Sequence, residues 1–299
     1  MTGLLKQYKK DFLSELEFGK NYSSHTLKSY NSDLLYFFFF LEKNYPGISP
    51  ENIDKNILRS YLSVLYQEKF KISTIKRKIA ALRSFFNFLL KKDIIQRNAV
   101  MDIVSPKSEK AIPSFINIDD MFLFLDSIKD KSWLDLRNRA IFELMYSTGM
   151  RVSELVSLNM ESIDWEGYVR IMGKGSRERI VPAGKRALER VNKYIKKLET
   201  DFFLDINQGP LFLNKYKKRI SDRSIRRILD KLIGEAGLFL KISPHKIRHS
   251  FATHMLDNGA DLRFIQEFLN HKSLSTTQKY THVTMDRLMA VYDNAHPRN

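Results

Sequence analysis

The chain contains no cysteine, which excludes disulfides and thiolate metal sites. No run approaches the ~18 apolar residues that a membrane span needs. The first stretch, MTGLLKQYKKDFLSELEF, mixes acids with its bases and reads as an amphipathic helix, not a signal peptide. There is no long Lys/Arg tail, no internal repeat and no low-complexity segment. A phosphate-binding GxxxxGK[ST] loop is missing as well. Gly173-Lys174-Gly175-Ser176 resembles one only superficially, because it lacks the upstream Gly and joins two predicted strands. ATP hydrolysis is therefore not expected.

What is present points elsewhere. A length of 299 residues implies about two domains, and 43% hydrophobic residues with 21 Phe and 13 Tyr are ample for real cores. The formal net charge of +16, spread over both halves of the chain, is that of a folded protein that meets a polyanion. The expectation is a soluble, cytoplasmic, nucleoid-associated protein with a nucleic-acid partner.

Residues 1–105 read as a four-helix unit. Leu5, Tyr8, Phe12 and Leu16 set one apolar stripe, and Leu27, Tyr30, Leu34, Phe38 and Leu41 a second. The Phe37–Phe40 run is too apolar for an exposed face, so part of it packs on a neighbour. Tyr45-Pro46-Gly47 signals a turn. Asp54 caps the third helix and Ser73 the fourth. Lys76, Arg77, Lys78 and Arg83 on the fourth helix, with Lys28 on the second, are placed on a basic solvent face as DNA contacts. Residues 106–115, with two prolines close by and little periodicity, form the linker. Residues 116–299 make a second, α+β domain. Its helices run from Met121 to Ile128, from Leu136 to Tyr146, from Arg151 onward and from Lys185 to Leu198. Trp165–Met172 and Arg177–Val181 form a β-hairpin with Lys174 near its tip. Seven bases crowd residues 215–227. Ile225, Ile228 and Leu232 face inward there, which leaves Arg223, Arg226 and Arg227 outward as candidates for a DNA groove. The fold class is mainly α, with two domains and one small antiparallel hairpin or sheet.

The most informative stretch is SPHKIRHSFATHMLDNGADLRFIQEFLNHKSLSTTQKYT, residues 243–281, which holds four of the seven histidines. Ser243-Pro244 starts a helix, and Ile247, Phe251 and Met255 mark its buried stripe. His245 and Arg248 share a face beside that stripe. Asn258-Gly259 ends the helix. Asp261 caps a second short helix that delivers His271, and Ser275 with Gln278 has the spacing that puts Tyr280 early on a third. Two imidazoles, a guanidinium and a phenol on three short helices make a site for an oxyanion, best of all a phosphate.

Metal chemistry fits poorly. His245 and His249 have the i,i+4 spacing of a metal pair, but no Glu lies between them and Arg248 opposes a dication. No acidic cluster of the two-metal kind is apparent. Metal-free phosphoryl transfer fits better. Guanidiniums stay charged and bind two oxygens at once, so Arg248 and Arg151 suit a phosphorane. A cationic pocket favours the phenolate of Tyr280, whose attack leaves a covalent phosphotyrosine. Lys174 is placed to protonate the displaced alkoxide. No cofactor is expected. Taken singly, each of these residues has an ordinary structural explanation, and His249, His254 and His282 are read as packing or hydrogen-bonding residues.

The combination resembles the tyrosine recombinase (phage integrase) family. Arg151 in TGMRVSEL, Lys174 in GKGSRERIVP, His245 and Arg248 in SPHKIRHSFATHML, His271 in FLNHKS and Tyr280 in TTQKYTHV match its catalytic set in order and spacing. Glu154 falls where the family places a supporting acid. Asn270 departs from the Gly more common before the second His, although Asn tolerates a left-handed backbone. The resemblance covers essentially the whole chain and is greatest to the Xer subgroup. It implies a helical core-binding domain, a catalytic domain with a protomer-docking C-terminal helix, and recombination through a Holliday junction at a dif-like site that resolves chromosome dimers. It also implies duplex DNA with an inverted-repeat site, a homo- or hetero-tetramer, and room for a DNA translocase as activator. The helix from Thr284 to Asp293, with Met285, Leu288, Met289 and Tyr292 apolar, is expected to be over-exposed on a single chain and to dock on a neighbour. A mobile-element integrase, a type IB topoisomerase-like enzyme and a catalytically inactive architectural DNA-binding protein remain the alternatives.

Overall fold

The computed structural model describes residues 2–19, 22, 24–106, 115–172, 178–202, 209–238, 242–269 and 282–298. The chain divides into two compact units, Met1–Ala111 and Ile112–Asn299.

The first unit holds α1 (Thr2–Ser14), α2 (Ser24–Asn44), α3 (Lys55–Gln67) and α4 (Ile72–Lys91). Asp54 caps α3 as its position predicts, its carboxylate accepting the backbone N–H groups of Asn56 and Ile57 at 2.9 Å. Ser73 is not the cap of α4. The helix begins at Ile72 after Lys71, which makes no side-chain cap bond, and the early start lets Ile72 pack against the core. Within the phenylalanine run, Phe37, Phe38 and Phe40 are buried while Phe39 is 66% exposed. Phe37 meets the edge of Tyr61 at 4.9 Å between ring centres, a favourable aromatic geometry.

Two members of the expected basic face are not on it. Lys78 is buried, its Nζ lying 3.2 Å from Asp33 and 4.2 Å above the Tyr36 ring. It follows Ile75 by three residues and precedes Ile79, which turns it toward α2, where the buried Asp33 supplies the counter-charge. Arg83 is half-buried and donates to the carbonyls of Val100 and Ile103, fastening the short turn Ala99–Asp102 to α4. Arg77 remains outward while donating to Asp33 at 2.6 Å, and Lys28 is exposed.

The second unit continues with α5 (Ile118–Ser127), α6 (Trp133–Thr148) and α7 (Val152–Ser157). Three antiparallel strands follow, β1 (Ile163–Asp164), β2 (Tyr168–Met172) and β3 (Glu178–Pro182), in the order β1-β2-β3. The helices α8 (Lys185–Phe202), α9 (Asp222–Glu235), α10 (Pro244–Asp257), α11 (Leu262–Leu269) and α12 (His282–Ala295) complete it. Ser132 and Asp135 form a capping box that starts α6. Ala187, Leu188, Val191, Tyr194 and Leu198 form the buried stripe of α8, which packs chiefly on α6. Alternation on β2 buries Val169 and Ile171 against the helices.

Among the described side chains, the C-terminal helix is not over-exposed on the single chain. Tyr292 and Ala295 are buried, and Leu288 and Met289 are half-buried. The Tyr292 hydroxyl lies 2.6 Å from Ser147 Oγ and accepts the Gly184 N–H at 3.0 Å. A helix this short holds its place because these polar anchors fix the Tyr292 hydroxyl while Phe268 and His296 stack on its ring.

Candidate active site

Three segments deliver the described part of the site. The first is the end of α6. Thr148-Gly149 breaks the helix, and Gly149 takes φ +56° with its N–H on the Met145 carbonyl at 3.0 Å. A Cβ built there would lie 2.4 Å from one Phe251 ring atom and 2.8 Å from Leu269, so both backbone and space require glycine.

The second is α10. Ser243 caps it through the Lys246 N–H, and Ile247, Phe251 and Met255 are buried. Ser250 and His254 tie it to the start of the unit. Ser250 Oγ accepts the Ile116 N–H at 2.8 Å. His254 Nε2–H donates to the Ile116 carbonyl at 2.8 Å, so Nδ1 accepts from the Tyr146 hydroxyl at 2.7 Å. Burial lowers the His254 pKa, consistent with this neutral tautomer. His254 is thus a hydrogen-bonding core residue, whereas His249 is exposed. On the other side of the helix, Arg248 Nη1 donates to the Gly149 carbonyl at 2.7 Å and Nη2 to the Leu269 carbonyl. His245 stands exposed one turn earlier on the same helix.

The third segment is α7, which begins three residues after Gly149. Glu154 closes its first turn by accepting the Arg151 backbone N–H at 2.7 Å, and Arg151 Nη1 reaches the same carboxylate at 3.0 Å. Arg179 on β3 grips Glu154 from the other side, with Nη1 and Nη2 each 2.8 Å from one carboxylate oxygen. Burial alone would raise the Glu154 carboxyl, but the bonds from Arg179 and the Arg151 N–H outweigh it and hold it at about 2. Burial, and after it the charge of Arg151, bring the Arg248 guanidinium down to about 10. One buried carboxylate therefore sits among three guanidiniums, a surplus of positive charge suited to a phosphate.

Sequence reasoning missed Arg179. In the hairpin register Arg179 pairs with Ile171 and Val181 with Val169, and Ile171, Val169 and Val181 are buried. Cross-strand partners share a face, so an arginine two residues before an inward valine was the available signal. Arg219, counted among the seven bases of 215–227, is exposed yet donates to the Val156 and Leu158 carbonyls at 2.7 and 2.9 Å and secures the end of α7. Arg223, Arg226 and Arg227 are exposed on α9, with Arg226 in a surface pair to Asp222 at 3.3 Å. Lys174, Asn270, His271 and Tyr280 lie outside the described residues, as does the side chain of His282. Among the described residues no group of His, Asp and Glu could hold a metal ion, and no helix is long and apolar enough to cross a membrane.

Comparison with known proteins bears on this site. Residues 115–287 match the phage integrase family model and residues 10–93 the phage integrase N-terminal SAM-like domain. Tyrosine recombinase XerC of Syntrophus aciditrophicus is 46% identical over 300 residues, covering 97% of each chain. The chain belongs to the tyrosine recombinase family.

This tyrosine recombinase is a DNA strand transferase, and its two-domain, mainly α architecture is that of its structural neighbours. The protein in a post-cleavage complex of XerH on palindromic difH substrate superposes with a TM-score of 0.71 at 25% identity, covering 97% of this chain and 83% of that one. A lambda integrase dimer bound to a COC' core site gives 0.68 at 19% identity over 90% of this chain and 95% of that one, a likeness of fold. XerC of Staphylococcus aureus strain JH9 is 39% identical over 288 residues, 96% of this chain and 95% of its own.

Proposed function

We propose that this recombinase acts at an inverted-repeat, dif-like DNA site, using Tyr280 as nucleophile and Arg151 and Arg248 as the clamp on the scissile phosphate. The supporting observation is the convergence of Arg151 and Arg248 on the turn at Gly149, with Glu154 held between Arg151 and Arg179. In this reading the Tyr280 oxygen attacks phosphorus and the bond to one deoxyribose oxygen breaks. Lys174 gives that oxygen its proton. His245 and His271 hydrogen-bond the non-bridging oxygens, and the two guanidiniums offset the charge of the five-coordinate transition state. Attack by the corresponding hydroxyl of a second duplex reverses the step, and two such exchanges pass through a Holliday junction. The phosphotyrosine conserves bond energy, so neither ATP nor metal is called for. Lys28, Lys76, Arg77, Arg223, Arg226 and Arg227 are assigned to duplex phosphates.

Full-length relatives named XerC at 39–46% identity favour a chromosomal, dimer-resolving role in the cytoplasm, at the nucleoid, over the life of a mobile-element integrase. The transposon Tn1549 integrase, at 17% identity, shares the fold. Four protomers would assemble through the C-terminal helix, which must then exchange its contacts on its own unit for the same contacts on a neighbour. A DNA translocase completes the reading as activator.

The test is a covalent adduct. The protein is incubated in EDTA with a duplex it has selected from a random library, quenched in detergent and resolved by electrophoresis. An adduct that Tyr280→Phe abolishes while duplex binding persists supports the assignment. No adduct from the unaltered chain would indicate an architectural protein, and relaxation of supercoils without site preference a topoisomerase.

A further inference from the structure

Arg179 carries no assigned role, yet both terminal nitrogens of its guanidinium are committed to one buried carboxylate. Its side chain is 11% exposed and that of Glu154 8%, and the pair is fork to fork. A carboxylate offers one such two-pronged approach in its plane. Arg179 occupies it, so Arg151 meets the same carboxylate only from the side, through Nη1 and its own backbone N–H. With Arg179 absent, Glu154 would be free to turn into a two-pronged pair with Arg151 and draw that guanidinium away from a bound phosphate. Arg179 also fastens β3 to the first turn of α7, and its charge adds to burial and Arg151 in lowering the Arg248 pKa.

We propose that Arg179 is a positioning residue for strand cleavage: by saturating Glu154 it fixes the approach of Arg151 to the scissile phosphate and sets the surplus positive charge of the pocket. The inference rests on the reading that Arg151 and Arg248 hold that phosphate. Its signature is kinetic, not a loss of affinity, because Arg179 is buried against Glu154, with a side chain only 11% exposed. The pH profile should report it as well. In the unaltered protein Glu154 stays ionised down to about pH 2. Once Arg179 is replaced, burial is opposed less strongly and the carboxyl titrates higher.

The experiment compares Arg179→Met, Arg179→Lys, Arg179→Met/Glu154→Gln and Arg151→Ala on a nicked duplex, taken from the selected pool, that traps the covalent adduct. Arg179→Met is expected to form adduct about 10- to 100-fold more slowly, with duplex affinity within about twofold of the unaltered protein. Its rate should also gain an acidic limb that the unaltered protein lacks, lying above the folded value of Glu154 in the unaltered protein. Lysine cannot make the fork and should rescue only part of the rate. The double variant buries no unpaired charge, so it folds even where Arg179→Met does not. It should regain much of the rate and lose the limb, because the carboxylate that would capture Arg151 is gone and the net charge of the pocket is restored. A double variant as slow as Arg179→Met, or a wild-type rate in Arg179→Met with an unchanged pH profile, overturns the role of Arg179. Wild-type adduct formation by Arg151→Ala instead overturns the reading of the site on which it rests.

Discussion

Arg298, beyond the last helix, is buried against Glu143 in the middle of α6, with Nε 3.0 Å from one carboxylate oxygen and Nη2 2.9 Å from the other. Each side chain is 2% exposed. The same guanidinium reaches Asp126 on α5, which also receives Arg186 at 2.8 Å and Arg139 at 3.2 Å. The C-terminal segment is thereby locked to the catalytic unit by charge as well as by the Tyr292 ring.

Removing that lock leaves a buried carboxylate without its main partner. Arg298→Ala is expected to lower the unfolding free energy of the catalytic unit by about 3–5 kcal/mol. Arg298→Met with Glu143→Leu should recover most of it. Urea unfolding followed by circular dichroism reads both, and equal stability of Arg298→Ala and the unaltered protein would show the pair to be idle. Deleting everything beyond Thr284 removes these contacts too, so loss of synapsis by that truncation must be read against its stability.

Glu154 predicts the acid side of stability. Its carboxyl is held at about 2, below the ordinary 4.5. A carboxyl depressed by folding contributes stability that is fully present above its unfolded value and disappears as pH falls through its folded value. The unaltered protein should exceed Glu154→Gln by on the order of 2–3 kcal/mol near pH 6. That difference should shrink below about pH 4.5 and vanish near pH 2. A difference that is constant across this window refutes the linkage.

Gly149→Ala places a methyl group against Phe251 and Leu269 and strains a backbone at φ +56°. The expected cost is about 1–3 kcal/mol in stability. Because the Gly149 carbonyl holds Arg248, adduct formation should fall further than the stability loss explains. Full activity at a temperature where the variant is folded would contradict this.

Lys78 and Arg226 should separate folding from binding. Lys78→Met leaves the buried Asp33 with Arg77 as its one remaining cation and is expected to destabilise the N-terminal unit by about 1–2 kcal/mol. Arg226→Ala should leave the melting curve unchanged, weaken duplex binding evenly across sequences and reduce the salt slope by about one. Fluorescence anisotropy over a salt series measures the second effect.

The helices, their caps at Asp54 and Ser243, the hairpin and the family were legible in the chain, because helical periodicity, capping and motif spacing are local properties. The pairing of Arg248 with the Gly149 carbonyl was not, since it joins residues 99 apart. Lys78 and Arg83 show the limit most plainly. Beside Lys76 and Arg77 they are indistinguishable as letters, yet Asp33 draws one into the core and the carbonyls after α4 claim the other. Arg179 went unread for the same reason: a cation buried on an inward strand position is stable only because Glu154 meets it from another element. Composition and order in the chain thus determined which charges this recombinase has. Where each is spent, on DNA or on another part of the fold, was decided by tertiary packing, because a buried charge persists only beside a partner that folding brings to it.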